Sequence, residues 1–236
     1  PHTLNDLLVW REEESMASAM IADEVIGPGR FFIVARGRSD YAAKACAALI
    51  ANPNATKVYP SFPMTQVMDQ PEIWGRICAF RQKLSHELIC FDPGEVDEFE
   101  LRRAAEKARG NGESQFQYDV LGRPMTFATE MVLQAAQAIS NQIIARDFQL
   151  VRQSDMVIAL FPELPTGLPA ISAGVQAELA HAWNHGKEVY IIWLSKRIPS
   201  PFNAEMCTRV FSHEDECLKY LQQRGILPDR LGSPLA

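Results

Sequence analysis

Short apolar runs alternate along the chain with longer amphipathic segments. The runs are rich in aromatic and β-branched residues and predict strands at RFFIVARG (30–37), TKVYPSFP (56–63), LICFDP (88–93), DMVIALFP (155–162) and EVYIIWL (188–194). Helical spacing of apolar residues covers 39–52, 71–87, 95–106, 126–154 and 213–225, and one more helix begins near Ser172. This alternation is typical of a parallel sheet covered by helices.

The pattern therefore predicts an α/β fold, a doubly wound parallel sheet of the Rossmann-like or flavodoxin-like kind with helices on both faces. The helix predicted at 71–87 has an apolar face made of Ile73, Ile77, Phe80 and Leu84. The glycine-containing stretch RGNGESQFQYDVLGRP (109–124) predicts a loop between two helices.

The series of elements breaks near residue 55. Residues 1–55, a charged helix plus one βα unit, are interpreted as an N-terminal appendage, and 56–236 as the main domain. The alternative is that 1–55 supply an extra edge to the same sheet. Because the chain opens on Pro1 rather than methionine, we expect a processed chain or the tail of a larger protein.

Composition and net charge exclude several classes of binding partner and cellular setting. The net charge of -6 opposes binding to a nucleic-acid polymer, although one small anionic ligand is compatible with it. The five cysteines are scattered without a CxxC pair, which predicts neither a metal cage nor disulfides and favours a reduced, cytoplasmic protein. No apolar run is long enough for a membrane span, and no GxxxxGK[ST] phosphate loop occurs.

Candidate chemistry lies after the strand 155–162. Ligands of open parallel sheets bind outside the carboxyl ends of the strands, near helix N-termini. Ser172 is placed to cap the next helix, and Gly174 permits close approach of a ligand to the backbone. Glu178 then lies about one turn inside that helix, either as a solvated surface acid or as part of a site. Asp155, at the start of the strand, is interpreted as a structural cap.

The order of several segments resembles a known superfamily. KVYPSFP, Asp147, SDMVIAL, SAGVQAEL and GKEVYIIW follow one another as the corresponding elements do in the nucleoside 2-deoxyribosyltransferase superfamily, which includes the 2′-deoxynucleoside 5′-monophosphate N-glycosidases. The resemblance covers about residues 56–195, and the spacing from Asp147 to Glu178 is its most specific part. It implies a small-molecule nucleoside or nucleotide as ligand, no cofactor, no metal, and a homodimer or larger homo-oligomer.

The resemblance also implies roles for three catalytic residues. Glu178 matches the nucleophile, whose carboxylate stabilises or attacks an oxocarbenium-like C1′. Asp147 matches the carboxylate near the base and sugar; alternatively it is a helix-end acid paired with Arg146 or Arg152. Tyr59 matches the tyrosine whose hydroxyl positions the nucleophile; alternatively it is a core aromatic.

The phosphorylation state of the substrate stays open. Ser172 matches the monophosphate hydrolases, because a hydroxyl beside helix N–H groups suits a phosphate that a carboxylate repels. The segment SFPMT, with Ser61 and Pro63 as substrate-binding candidates, departs from the Gly-Ser-Ile-Arg loop of those hydrolases and is similar to the transferase version. The implied reaction is therefore cleavage or transfer at the N-glycosidic bond of a 2′-deoxynucleoside or its 5′-monophosphate.

Two alternatives from other classes remain. Glu178, His181 and His185 share one helix face and have metal-ligating side chains, although both histidines also suit the negative end of a helix near Gly186. The second alternative is a non-catalytic module of the same fold that binds or senses a nucleotide or nucleotide-sugar.

Overall fold

The computed structural model describes residue 32 and residues 41–93, 97–120 and 123–227. The chain divides into two compact units. The sheet unit comprises 41–93 and 150–227, and the insertion unit comprises residue 32 and 97–149.

The described elements, in chain order, are α1 (Tyr41–Ala51), β1 (Lys57–Ser61), α2 (Met64–Val67), α3 (Pro71–Glu87), β2 (Ile89–Cys90), α4 (Asp97–Gly110), β3 (Gln115–Val120), β4 (Arg123–Ala128), α5 (Thr129–Gln153), β5 (Met156–Phe161), α6 (Ala173–Asn184), β6 (Glu188–Trp193), α7 (Pro201–Glu205), β7 (Arg209–Phe211) and α8 (Glu214–Gln223). Each predicted strand or helix between residues 39 and 106 and between 155 and 225 has a counterpart among them. The short elements α2, α7 and β7 were not predicted, because each has too few residues to show a period.

The sheet unit is built on five parallel strands in the order β2-β1-β5-β6-β7. Numbered within the sheet, this is 2-1-3-4-5, the flavodoxin-like order of doubly wound folds. Helices flank the sheet, so the predicted α/β fold is confirmed. The chain runs from β1 outward to β2, and later returns to place β5 on the other side of β1. The strand order therefore reverses between β1 and β5.

One face of the sheet packs against α3 and α8. Val58, Ile158 and Ile192 lie in this core with Ile77, Phe80 and Leu84 of α3 and Cys217, Leu218 and Leu221 of α8. The predicted apolar face of α3 is thus buried, with Ile73 partly buried at its margin. Each large apolar side chain removed from water here contributes roughly 1.5–3 kcal/mol.

The opposite face of the sheet packs against α6, which contacts β5 and β6. Val175, Leu179 and Ala182 of α6 are buried. Because side chains alternate along a strand, Tyr59 and Ser61 point away from the Val58 core and toward the α6 face. This places two hydroxyl groups of β1 beneath that helix.

Polar contacts hold the strand ends and the last helix. The Lys57 amide donates to the Asp155 carboxylate at 2.7 Å, and the Asp155 amide donates to the Lys57 carbonyl at 2.9 Å. The predicted structural role of Asp155 is confirmed. At the start of α8, Glu214 accepts two hydrogen bonds from Arg76 of α3, at 2.5 and 2.7 Å.

The loop predicted at 109–124 is wrong, because part of this stretch is a strand of the insertion unit. Residues Gln115–Val120 form β3, which pairs antiparallel with β4. The strand alternates Phe116 and Tyr118 with polar residues, and Phe116 packs on Phe127 of β4 with ring centroids 5.9 Å apart. The prediction was wrong because the glycines near 110–112 were given more weight than this period of two.

The hairpin also moves the start of the following helix. The prediction began at residue 126, whereas α5 begins at Thr129. The Thr129 amide donates to the Ser114 carbonyl at 2.9 Å and its hydroxyl donates to the Glu113 carbonyl at 2.7 Å. These bonds tie the helix start to the residues before β3.

The N-terminal prediction is only partly within the described residues. The strand predicted at 30–37 lies outside them except for residue 32. The predicted helix 39–52 corresponds to α1, which contacts β2 and α3 of the sheet unit. The domain boundary at residue 55 stays a prediction. No helix in the described ranges has the length and apolar character needed to cross a membrane.

Candidate functional site

The candidate site lies where the strand order reverses, at the carboxyl ends of β1 and β5. Beyond β5 the chain forms a narrow turn in which the Leu164 amide donates to the Leu168 carbonyl at 2.7 Å. Gly167, with φ of 75°, makes the turn possible. The Ala170 amide then donates to the Pro162 carbonyl at 2.8 Å, which fixes the approach to α6.

Ser172 caps α6. Its backbone is extended, and its hydroxyl accepts a hydrogen bond of 3.2 Å from the Val175 amide. The sequence interpretation of Ser172 as an N-cap is confirmed, while substrate binding by Ser172 stays a prediction. The cap leaves the remaining N–H groups of the first turn directed outward, as at other helix N-termini.

Gly174 is not required by the fold at its position. A Cβ atom placed on it would meet only the Ser172 hydroxyl, at 3.8 Å, which is an ordinary van der Waals distance. Its predicted role in ligand approach can therefore be tested without a steric penalty in the free protein.

Glu178 lies over the end of β1, where its carboxylate accepts two hydrogen bonds. The Tyr59 hydroxyl donates to Oε1 at 2.8 Å, and the Ser61 hydroxyl donates to Oε2 at 2.5 Å. Tyr59 and Ser61 are 0% and 1% exposed, whereas Glu178 is partly exposed. The reading of Glu178 as a solvated surface acid is therefore wrong, because its carboxylate is held by buried hydroxyls of the sheet.

The arrangement follows from strand periodicity. Tyr59 and Ser61 are two residues apart, so both side chains leave β1 on the same face. Each hydroxyl donates a hydrogen bond to one oxygen of the Glu178 carboxylate. Together the two bonds restrict rotation of the carboxylate. A carboxylate that accepts hydrogen bonds on both oxygens does so most fully in the ionised form, which is also the nucleophilic form. The site can thus present a fixed, partly exposed anion.

The loop after β1 borders the site. Pro63 is buried and precedes α2, and the Gln66 amide side chain donates to the Ile171 carbonyl at 2.7 Å. This bond joins α2, which follows β1, to the segment that follows β5, next to the Ser172 cap. Ser61, predicted to bind substrate, is in contact with Glu178 itself.

Asp147 belongs to the insertion unit. Arg146 donates to Asp147 Oδ1 from Nε at 3.1 Å and from a terminal nitrogen at 2.9 Å. Of the two arginines considered from the sequence, Arg146 is a partner in this structure. The functional role of Asp147 stays a prediction.

The histidines of α6 lie at its C-terminal end. His185 is the C-cap residue, its Nδ1 lies 2.8 Å from the His181 carbonyl oxygen, and Gly186 follows with φ of 63°. This is the helix-end arrangement considered from the sequence. Within the described ranges, no group of three or more His, Cys, Asp or Glu side chains is arranged to hold a metal ion.

Two buried polar features of the sheet unit were missed from the sequence. Asn203 of α7 is 1% exposed, and within the described part of the chain neither side-chain amide atom has a hydrogen-bond partner. Arg81 and Asp92 form a buried ion pair. Neither residue type carries a periodic signal, and burial of a charged helix residue is visible only in the tertiary structure.

A cleft of the sheet unit opens at the opposite edge, near the amino ends of β1 and β2. Its lining includes Asn54, Thr56, His86, Leu88 and Ile226. In a doubly wound sheet ligands bind at the carboxyl edge, so the Glu178 cluster is the better candidate for a functional site.

The chain matches no protein-family model, and no curated protein is significantly similar to it in sequence.

Proposed function

We propose that this protein cleaves or transfers at the N-glycosidic bond of a 2′-deoxynucleoside or its 5′-monophosphate, with Glu178 as the nucleophile. One observation carries the proposal: the Tyr59 and Ser61 hydroxyls hold the two carboxylate oxygens of Glu178 at the point where the strand order reverses. A carboxylate fixed there meets the requirement of a glycosidic reaction for an anion beside C1′.

The reaction has two steps. A Glu178 oxygen attacks C1′ and forms a C1′–O bond while the C1′–N bond breaks, and the base leaves with the electron pair and takes up a proton. Water or a second base then attacks C1′, loses a proton, and releases Glu178. The first acceptor gives hydrolysis and the second gives transfer, and the proposal covers both.

Tyr59 and Ser61 act on the nucleophile rather than on the sugar. Their hydroxyls orient the carboxylate so that the substrate meets it in a productive geometry, an effect that lowers the barrier by removing rotational freedom. The N-terminus of α6, capped by Ser172, is the proposed binding element for the 5′ end of the ligand, either a phosphate or a hydroxyl.

The remaining assignments rest on the sequence resemblance. It gives Asp147 the role of assisting the leaving base, and it implies a homo-oligomer. The proposed cytoplasmic location follows instead from the scattered cysteines, which favour a reduced protein. Light scattering on the purified protein measures the oligomeric state directly. Substitution of Asp147 by asparagine tests its role through the rate of base release.

The decisive experiment is incubation with a panel of deoxynucleosides, their 5′-monophosphates and the matching ribonucleotides, with release of free base followed by chromatography. We expect release from at least one deoxy substrate and a slower reaction for its ribo counterpart, because a 2′-hydroxyl destabilises positive charge at C1′. Binding of a panel member without release would instead support the non-catalytic nucleotide-binding module. Absence of both binding and release would overturn the assignment.

A further inference from the structure

A buried ion pair lies beside the loop that follows β1. Arg81 of α3 donates from Nε to Asp92 Oδ2 and from a terminal nitrogen to Asp92 Oδ1, both at 2.8 Å. The side chains are 4% and 2% exposed. Asp92 comes two residues after the end of β2, so the pair lies at the carboxyl edge of the sheet.

The guanidinium of Arg81 also contacts two aromatic rings. It lies 4.9 Å from the ring centroid of Phe62 and 5.8 Å from that of Trp74. Phe62 and Trp74 in turn pack edge to face at 6.1 Å. Phe62 directly follows Ser61, the donor to Glu178. Arg81 therefore fixes the residue next to one of the two hydroxyls that hold the carboxylate.

Burial of an ion pair in a core costs free energy. Two charges removed from water lose their hydration, and apolar side chains of similar volume often stabilise a fold equally well or better. What the ion pair supplies beyond packing is direction: a planar guanidinium fixed by two parallel hydrogen bonds accepts the Phe62 ring in a defined orientation.

We propose that Arg81, held by Asp92, is a positioning residue for the Glu178 site. Through Phe62 it sets the end of β1 so that the Ser61 hydroxyl reaches Glu178 Oε2. The inference deepens the proposed function and rests on it for its kinetic consequence. The geometric consequence, loss of the Ser61–Glu178 hydrogen bond, is independent of any reaction.

The test replaces the whole pair, because removal of one partner would leave the other buried and uncompensated. The variant is Arg81→Met with Asp92→Leu. The matched control is Arg76→Met with Glu214→Leu, which removes another doubly hydrogen-bonded pair of α3, on the side of α8. Both double variants lose one ion pair from the same helix, and only the first borders Phe62.

Crystal structures of the two variants provide the first measurement. In Arg81→Met/Asp92→Leu the distance from Ser61 Oγ to Glu178 Oε2 should exceed roughly 3.5 Å, beyond hydrogen bonding, and in the control it should be unchanged. An unchanged distance in both overturns the proposal. A variant that fails to fold is replaced by Phe62→Leu, which removes the ring through which Arg81 acts and carries the same expectation.

The kinetics of base release provide the second measurement. Loss of positioning should lower kcat by on the order of a hundredfold with a smaller change in KM. The control should keep the wild-type kinetics. If wild-type protein releases no base, the proposed function fails, and the crystallographic distance still decides the role of Arg81.

Discussion

The Tyr59 hydroxyl donates a hydrogen bond of 2.8 Å to Glu178 Oε1, which joins β1 to α6 across 119 positions of the sequence. Because of this bond, the carboxylate of Glu178 is held in one orientation, unlike that of an ordinary surface glutamate. A surface glutamate on a helix rotates freely in water, whereas Glu178 is oriented by a side chain that is itself 0% exposed.

Replacement of Glu178 tests its role as nucleophile. Glu178→Gln keeps the size and one acceptor oxygen of the side chain but lacks the negative charge of the carboxylate. We therefore expect base release to fall about a thousandfold or more, which corresponds to several kcal/mol of transition-state stabilisation. Glu178→Ala should lose as much activity and also cost about 1–3 kcal/mol of stability, because two buried hydroxyls lose their acceptor.

Activity is followed by chromatography of the free base, and stability by thermal unfolding. Glu205→Gln, which changes an exposed acid of α7, is the control and should retain full activity. Wild-type rates in Glu178→Gln would remove the basis of the proposed function.

Tyr59→Phe tests the orientation of the carboxylate. The ring stays in place and only the donor is lost, so we expect base release to fall about ten- to a hundredfold and stability by about 0.5–1.5 kcal/mol. Ser61→Ala should lower base release and stability by similar amounts. The two losses should be non-additive in the double variant, because both side chains act on one group.

The sheet offers a matched control in Tyr190, a buried tyrosine of β6 whose hydroxyl donates to Glu188 at 2.9 Å. Tyr190→Phe also removes a hydrogen bond between a tyrosine and a glutamate, together with one that the hydroxyl accepts from Arg224, but in the amino-terminal half of its strand. It should leave kcat unchanged. Equal effects of Tyr59→Phe and Tyr190→Phe would mean that both residues act only on stability.

Ser172→Asp tests whether the N-terminus of α6 faces a phosphate. Aspartate is as good an N-cap as serine, so stability should change by only a few tenths of a kcal/mol. The added negative charge should lower kcat/KM for monophosphates roughly tenfold or more relative to free nucleosides. Ser200→Asp, at the N-cap of α7, is the matched control. A uniform effect on both substrate classes would show that Ser172 does not face a phosphate.

Glu214 should make stability depend on pH in the acid range. Burial raises the pKa of Glu214, but hydrogen bonds from Arg76 and from its own backbone outweigh burial and lower the pKa below its ordinary value of 4.5. Between the folded and unfolded pKa values the unfolded chain binds more protons. The contribution of Glu214 is therefore present above about pH 4.5 and is lost as the pH falls through the folded value.

Urea unfolding of wild type and Glu214→Gln from pH 7 to pH 3 checks this. The difference between them should be largest at neutral pH, where we expect about 1 kcal/mol or less because Arg76 is half exposed, and should vanish on acidification. Lys83→Gln, which removes the exposed Lys83–Asp215 pair between the same helices, should have almost no effect at any pH.

The cysteines should differ sharply in reactivity. Burial raises the pKa of Cys217 to about 12, and burial followed by the nearby Asp92 charge raises that of Cys90. The thiolate is the reactive form. We expect iodoacetamide to modify the exposed Cys46 first in the native protein, and Cys90 and Cys217 only after unfolding, as measured by peptide mass spectrometry. Rapid native labelling of Cys217 would contradict its burial.

The sequence was sufficient for the elements whose period is long or whose composition is extreme. β5 and β6 are buried runs and α3 is amphipathic over 17 residues, so local patterns predicted the parallel sheet. Ser172 could be identified as a cap from the apolar helix that follows it. The β3–β4 hairpin was missed because glycines precede an otherwise regular alternation.

The contacts of the site were harder to predict, since they depend on strand register. Pairing of Tyr59 with Val157 and of Ser61 with Ala159 decides that Ser61 reaches Glu178, and nothing local to Ser61 specifies that register. Arg81 is similar: as an arginine in an amphipathic helix it predicts a solvated side chain, and only the position of Asp92 after β2 explains its burial.

The position of β5 beside β1 has a consequence for synthesis of the chain. Lys57 and Asp155, which bond across these strands, are 98 residues apart, so β1 leaves the ribosome long before its central neighbour. At 5–20 residues per second the delay is roughly 5–20 s. During this delay β1 exposes to other chains an unpaired strand edge and Tyr59, which is buried in the folded protein. Nascent chains that stall within the insertion unit should therefore depend on chaperones, and chains that have completed α6 should not.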